Sequence, residues 1–241
     1  IDIRTRSIPD QFMFNVEVGT KTNLDTRGEV LSYNGGSDDN LGTDDGTRGL
    51  PVGLMSAVKM YGGSLSPIDI LARINLGDGT KTLADAEAIN RDLALQLNRD
   101  VDITAQDDDL NGSIEANIGN NFYLENGMEL GFIFGAVYGS EWKNKDSVDR
   151  SYGDPEDIFA SKMESTYSVN ITGNAGFGWR WYDDHRIETT SLFLRNTDDS
   201  AAITDSYTSS FPLSDGQGFR QYRTRFEERN MTVNQIRGFH R

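Results

Sequence analysis

Hydrophobic and polar positions alternate from Gln11 onward. Phe12, Phe14, Val16 and Val18 fall on one face, and Met13, Asn15, Glu17 and Gly19 on the other. A period of two is that of a β-strand with one apolar and one polar face. Ile114, Ala116 and Ile118 alternate with Glu115, Asn117 and Gly119 in the same way. Asn126-Gly127 then separates two alternating runs, the sequence signal of a tight hairpin. The returning run sets Leu130, Phe132, Phe134, Ala136 and Tyr138 on one face, with Glu129, Gly131, Ile133, Gly135 and Val137 on the other.

A polar break over about 143 to 162 precedes a long alternation. Tyr167, Val169, Ile171, Ala175, Phe177, Trp179 and Trp181 share a face opposite Ser168, Asn170, Thr172, Asn174, Gly176, Gly178 and Arg180. A turn at Asp183-Asp184 leads into "RIETTSLFLRN". After a second polar stretch, about 197 to 219, Tyr222, Thr224 and Phe226 oppose Arg223, Arg225 and Glu227. The alternation slips near Glu228 to Asn230, which predicts a β-bulge. Residues 27–110 differ from the rest. They are rich in Gly and Asp, and "TLADAEAINRDLALQLNRD" is their one helix-like run. No repeat of 20 to 50 residues is present.

These patterns predict about six antiparallel strands. A soluble sandwich and part of a membrane barrel both fit that number, and they differ in strand length and aromatic placement. The alternation from Tyr167 to Trp181 exceeds the about 9–11 residues that a tilted membrane strand needs. With strands running up and down, Phe12, Phe14, Phe122, Tyr123, Trp179, Trp181 and Tyr182 gather at one end. Tyr138, Trp142, Tyr167 and Tyr222 gather at the other. Two aromatic belts around an apolar band, with short turns at one end and long loops at the other, are the pattern of an outer-membrane barrel.

Composition narrows the chemistry. The chain of 241 residues carries a formal net charge of −15, which opposes nucleic-acid binding. It has no cysteine and only two histidines, His185 and His240, so thiol chemistry and Cys-ligated metals are excluded and a His-rich site is not expected. No apolar run approaches the length of a membrane helix. Hydrophobic residues make up 36%, low for a conventional core and suited to strands that are apolar on one face only.

The stretch "YNGGSDDNLGTDDGTRGLP", Tyr33 to Pro51, holds the candidate site residues Asp38, Asp39, Asp44, Asp45 and Arg48. Carboxylates with glycines can bind calcium, but the EF-hand spacing is not matched. A carboxylate pair for glycosidic hydrolysis would need a cleft and a defined separation, and nothing else in the chain supports one. Asp and Gly also supply turn conformations, and Arg48 can pair with a carboxylate to pin the loop. His185 reads as a polar residue beside the turn. No catalytic residue, metal ligand or cofactor site is expected.

Four stretches resemble TonB-dependent outer-membrane receptors: "IDIRTRSIPDQF", "YNGGSDDNLGTDDGTRGLP", "IETTSLFLRNTDDSA" and "YRTRFEERNMTVNQIRG". The resemblance implies an all-β fold, part of an antiparallel up-and-down transmembrane barrel of about 22 strands, with long extracellular loops. Residues 1–9 would end the plug domain, 10–241 would begin the barrel, and 27–110 would form the first extracellular loop. Because the chain starts at Ile1 and ends within a strand pattern, it reads as an internal piece. The implied protein is not an enzyme. It sits in the outer membrane of a Gram-negative bacterium and takes up a scarce siderophore, cobalamin or oligosaccharide. Its implied partners are outer-membrane lipid and the TonB complex, engaged through the rest of the plug. Asn15, Glu17, Lys21, Asn117, Asn170, Asn174, Arg180, Arg223 and Arg225 would face the lumen, and the five residues of the acidic loop would shape the ligand vestibule. A passive outer-membrane porin and a secreted soluble β-sandwich that binds carbohydrate are the other two readings.

Overall fold

A computed structural model describes residues 9–22, 29–76, 79–98, 102–107, 111–125, 127–153, 159–182 and 185–240. The expected plug end, apart from Pro9, lies outside them, as do Asn126 and the Asp183-Asp184 turn. The chain divides into two compact units: residues 1–43 with 102–241, and residues 44–101.

The first unit is built on a six-stranded antiparallel sheet in the order β1-β4-β5-β6-β7-β8. Its strands are β1 (Met13–Lys21), β4 (Asn111–Tyr123), β5 (Met128–Arg150), β6 (Phe159–Trp181), β7 (His185–Tyr207) and β8 (Phe219–His240). A separate hairpin pairs β2 (Val30–Tyr33) with β3 (Ile103–Gln106). The fold is therefore antiparallel all-β in this unit, as the alternation predicts. Beyond Gly127, which takes φ 71°, Leu124 N donates to Met128 O at 2.8 Å and closes the β4–β5 hairpin.

Register decides which residues share a face, because a slip of one residue would invert every side chain. Phe14 stands opposite Ile118, Ile118 opposite Phe134, and Phe134 opposite Ala175. Phe122, Leu130, Trp179 and Ile187 form a second row of the same face. This belt lies open: Phe14 is 65% exposed, Phe177 51% and Trp179 45%. The rings meet edge-on or stacked, with Phe134–Phe177 centroids at 5.2 Å and Phe122–Phe132 at 6.2 Å. Between them, Ala116, Ala136, Gly173 and Ala175 form the floor of an apolar groove of about 510 Å³.

Three expectations need correction. The strands run farther than the apolar alternation suggests: β5 reaches Arg150, and β6 begins at Phe159, inside the expected break at 143–162. Likewise β7 continues to Tyr207 through much of the expected 197–219 loop. Polar residues dominate these extensions and leave only scattered apolar positions such as Val148, Met163 and Ile203, so hydrophobicity loses its period while backbone pairing continues. Second, no bulge interrupts β8. Its ladder with β7 runs unbroken from His185↔His240 to Ser206↔Phe219. The phase slip is absorbed by a change of face, and Met231 and Val233 stand opposite Leu194 and Leu192 on the polar side of the sheet. Third, the upper aromatic row holds Phe226 and not Tyr222. Trp142, Tyr167, Asp199 and Phe226 align, whereas Tyr222 pairs with Ile203 farther out.

The segment between β1 and β4 is more than a loop. The β2–β3 hairpin packs on the outer end of the belt face, where Val30, Val169 and Ala201 are almost fully buried. Leu31 N donates to Ser165 Oγ at 2.8 Å, Tyr33 Oη to Asp199 Oδ1 at 2.7 Å, and Asn144 Nδ2 to Glu29 O at 3.0 Å. A 3-10 turn at Asp39–Leu41 continues this cover. Tyr138 Oη donates to Asn40 O at 2.7 Å, and Thr197 Oγ1 to Gly42 O at 2.6 Å. Gly42 has φ 64°, and a Cβ there would meet Thr197 Oγ1 at 2.9 Å, so glycine is required on both counts.

The second unit holds α1 (Val52–Met60), α2 (Pro67–Ile74) and α3 (Leu83–Ala94). Leu54, Ala57 and Leu93 form its buried cluster, with Tyr61, Leu65 and Ile89 packed against it. Only α3 falls in the helix-like run of the sequence, and a Thr82/Asp85 capping box starts it. Ser66 caps α2 by accepting from Asp69 N, with Pro67 in the first turn.

Replacing Val30 by Ala removes two buried methyl groups and leaves a cavity, a cost of about 2 kcal/mol. The expected result is a lower unfolding midpoint together with faster proteolysis within residues 29–43. Unchanged proteolysis there would show that the hairpin does not depend on this contact.

Candidate functional site

The face opposite the belt is a lattice of charged and amide side chains. At its lower end, Asn121 Nδ2 donates to Glu129 Oε1 at 3.1 Å, and Arg180 Nη1 lies 2.8 Å from Glu129 Oε2. Arg186 pairs with Glu188 alongside. Glu129 and Glu188 are both buried, and a buried carboxylate requires such partners. Higher up, Asn117 Nδ2 donates to Glu115 Oε1, and Asn196 Nδ2 to Asn170 Oδ1. Gly135 lies between Asn117 and Asn174. A Cβ there would approach their Oδ1 atoms to 2.4 and 2.2 Å, so the site tolerates only glycine without rearrangement.

Beyond the level of Tyr138 this face opens into a concavity of about 610 Å³, lined in part by Lys143, Lys145, Glu164, Ser200, Arg225 and Arg229. Every carboxylate here is engaged. Glu141 pairs with Lys143 and with Lys21 at 3.1 Å. Glu164 pairs with Lys162 and, at 3.5 Å, with Arg223. Asp198 accepts from Ser168 Oγ at 2.7 Å and lies 3.5 Å from Arg229. Glu227 pairs with Arg225 and Arg229. The hydrogen bond from Lys143, helped by Lys21, holds the Glu141 carboxyl below the usual range against the opposing effect of partial burial. At the outer end of the β7–β8 hairpin, Arg220 Nε and Nη2 donate to the two Asp205 oxygens at 2.6 and 2.7 Å. This fork lowers the Asp205 carboxyl.

The candidate acidic residues divide between the two units. Asp38 and Asp39 belong to the sheet unit, and Asp44, Asp45 and Arg48 to the helical unit. Asp38 O accepts from Leu41 N and Thr43 N. Asp39 Oδ2 accepts from Gly36 N at 2.9 Å. Asp44 Oδ1 accepts from Arg48 N and Arg48 Nη1, both at 3.4 Å. Asp45 Oδ1 accepts from Thr47 N at 3.0 Å and from its hydroxyl. All four aspartates therefore shape turns. Among the described residues, no group of three or more His, Cys, Asp or Glu stands close enough to hold a metal ion.

Of the sequence-read polar positions, Lys21, Arg223 and Arg225 contribute to the upper charge lattice. Lys143 and Lys145 lie inside the expected polar break at 143–162, and Glu164 lies just beyond it. The period-two run Glu141, Lys143, Lys145 is the signal that could have found them. His185 stacks on His240, with Nδ1 atoms 2.8 Å apart.

No protein family, no curated protein and no solved structure matches the chain.

A carboxyl lowered in the folded state adds stability above its unfolded pKa, and that stability is lost as pH falls through the folded value. The outer ends of β7 and β8 should therefore show full amide protection at neutral pH and fray below the ordinary carboxylate range. Asp205→Asn should already show the frayed exchange rates at pH 7, with little further change on acidification. Wild-type protection at pH 7 in that variant would show that the Arg220 fork does not hold the hairpin end.

Proposed function

We propose that this chain forms the beginning of the barrel of a TonB-dependent outer-membrane receptor, which binds a scarce nutrient and passes it inward without making or breaking a bond. The observation that carries this reading is the opposition of the two faces. An open aromatic and aliphatic belt lies on one side, and an ion-paired polar lattice on the other, across β1, β4, β5 and β6. From Leu130 to Tyr138 the belt extends about 27 Å along the strand. At a tilt of about 40° that becomes about 21 Å, close to the apolar band of about 25 Å in outer-membrane barrels. In this reading the belt meets lipid and the lattice lines the lumen. The long polar strand extensions, the β2–β3 hairpin and the helical unit stand outside the cell, where the acidic turns shape the approach to the lumen. TonB would act through the rest of the plug.

A second reading, a soluble β-sandwich half, draws on β8. There Asn230 and Asn234 stand on the belt face while Met231 and Val233 stand on the lattice face. In a sandwich, a second layer of protein would cover the belt.

Lipid contact separates the two. Trp179 is nearly half exposed on the belt, whereas Trp142 is buried. In bilayers of brominated lipid, single-tryptophan variants should show strong quenching of Trp179 and little of Trp142. Equal, weak quenching of both would contradict the membrane reading.

A further inference from the structure

We propose that the upper concavity of the lattice face binds a small polyanion, a molecule carrying at least two carboxylate or phosphate groups. The inference rests on the receptor reading for its place in uptake, and it narrows the class of ligand.

Charge balance carries the argument. The whole chain is strongly acidic, yet this part of the wall is not. Between the Ser147–Lys162 row and the Gly139–Asn170 row of β5 to β8, the cations are Lys143, Lys145, Lys162, Arg223, Arg225 and Arg229. The facing carboxylates are only Glu141, Glu164, Asp198 and Glu227, and Glu141 is shared with Lys21. Each of these acids already has a basic partner, so the cationic excess is not cancelled within the wall. Lys145 is exposed and has no ion pair among the described residues.

Register gives the site its shape. Lys143, Thr166, Ser200 and Arg225 form one cross-strand row without an acid. At about 4.8 Å per strand the two cations stand about 14 Å apart at the backbone, with hydroxyl side chains between them. Long flexible side chains reaching inward from both ends would grip two anionic groups several ångströms apart. The hydroxyl of Thr166 can donate to an oxygen lying over the floor, while that of Ser200 donates to Arg225 O at 3.4 Å. A volume of about 610 Å³ suits a small-molecule ligand. A neutral ligand would leave the cationic excess uncompensated.

The test is calorimetric titration of the intact protein in detergent with tripolyphosphate, with butane-1,2,3,4-tetracarboxylate and with neutral maltotriose. Saturable binding of at least one polyanion is expected, weakening steeply between 50 and 300 mM salt, with no binding of maltotriose. The tighter polyanion identifies the anionic group that the site prefers. Lys145→Gln breaks no ion pair of the wall, and both it and Arg225→Gln should weaken binding about fivefold or more, whereas Lys59→Gln in the helical unit should not. No saturable polyanion binding at 50 mM salt, or binding unchanged in both lattice variants, overturns the proposal. Quenching of Trp179 by brominated lipid on the same preparation is an independent readout. Quenching without polyanion binding would remove the anion site and keep the receptor reading. Binding without quenching would keep the site and remove the membrane.

Discussion

The uninterrupted backbone ladder from β4 to β8 is the constraint on which the rest of this molecule depends. Side chains alternate strictly across a sheet, so one register fixes the surroundings of every residue on both faces at once. Because Phe134 stands opposite Ile118 and Ala175, Gly135 stands opposite Asn117 and Asn174. The belt and the lattice are thus one structural decision. Neither face has a conventional core behind it, and a chain with 36% hydrophobic residues can sustain so large a sheet because most of the sheet's apolar residues stand on one side.

The same ladder explains how the strands outlast the belt. Past Trp142 and Tyr167, hydrophobic packing gives way to the β2–β3 hairpin on one face and to ion pairs on the other. The hairpin buries Val30 against the outer sheet, Ser165 and Asn144 bond its backbone at Leu31 and Glu29, and Thr197 bonds the following turn at Gly42. On the opposite face, exposed ion pairs such as Arg229–Asp198 add little individually, but they match across the strands and so favour a single register. An extended sheet rising beyond the belt sets the upper concavity of the lattice apart from the apolar belt.

Much of the central sheet was legible in sequence, because alternation at Phe12–Val18, Ile114–Ile118, Leu130–Tyr138 and Tyr167–Trp181 reports a one-sided environment. The helix-like run "TLADAEAINRDLALQLNRD" likewise marked α3. The strand extensions were not legible, since Lys143 to Arg150 alternate between two polar faces and hydropathy carries no period there. The expected bulge at Glu228 to Asn230 had a real cause, the change of phase, but backbone pairing overrode side-chain preference and sent Met231 and Val233 to the other face. The acidic stretch looked like one site because its aspartates are close in sequence. In the fold they divide between two units, each used in its own turn. The lattice, by contrast, gathers residues from distant strands, so no local motif announces it.

The central claim is that one register presents a lipid-facing side and a water-facing side of the same strands. A nitroxide scan along β6 from Ser168 to Trp181, in the intact protein reconstituted in bilayers, tests this most directly through the accessibility of each label to oxygen and to a water-soluble nickel complex. The account predicts a period of two, with oxygen favoured at the positions of Ile171, Ala175, Phe177 and Trp179 and the nickel complex favoured at Asn170, Thr172 and Asn174. Equal accessibility at both sets, or nickel access at the belt positions, would contradict it.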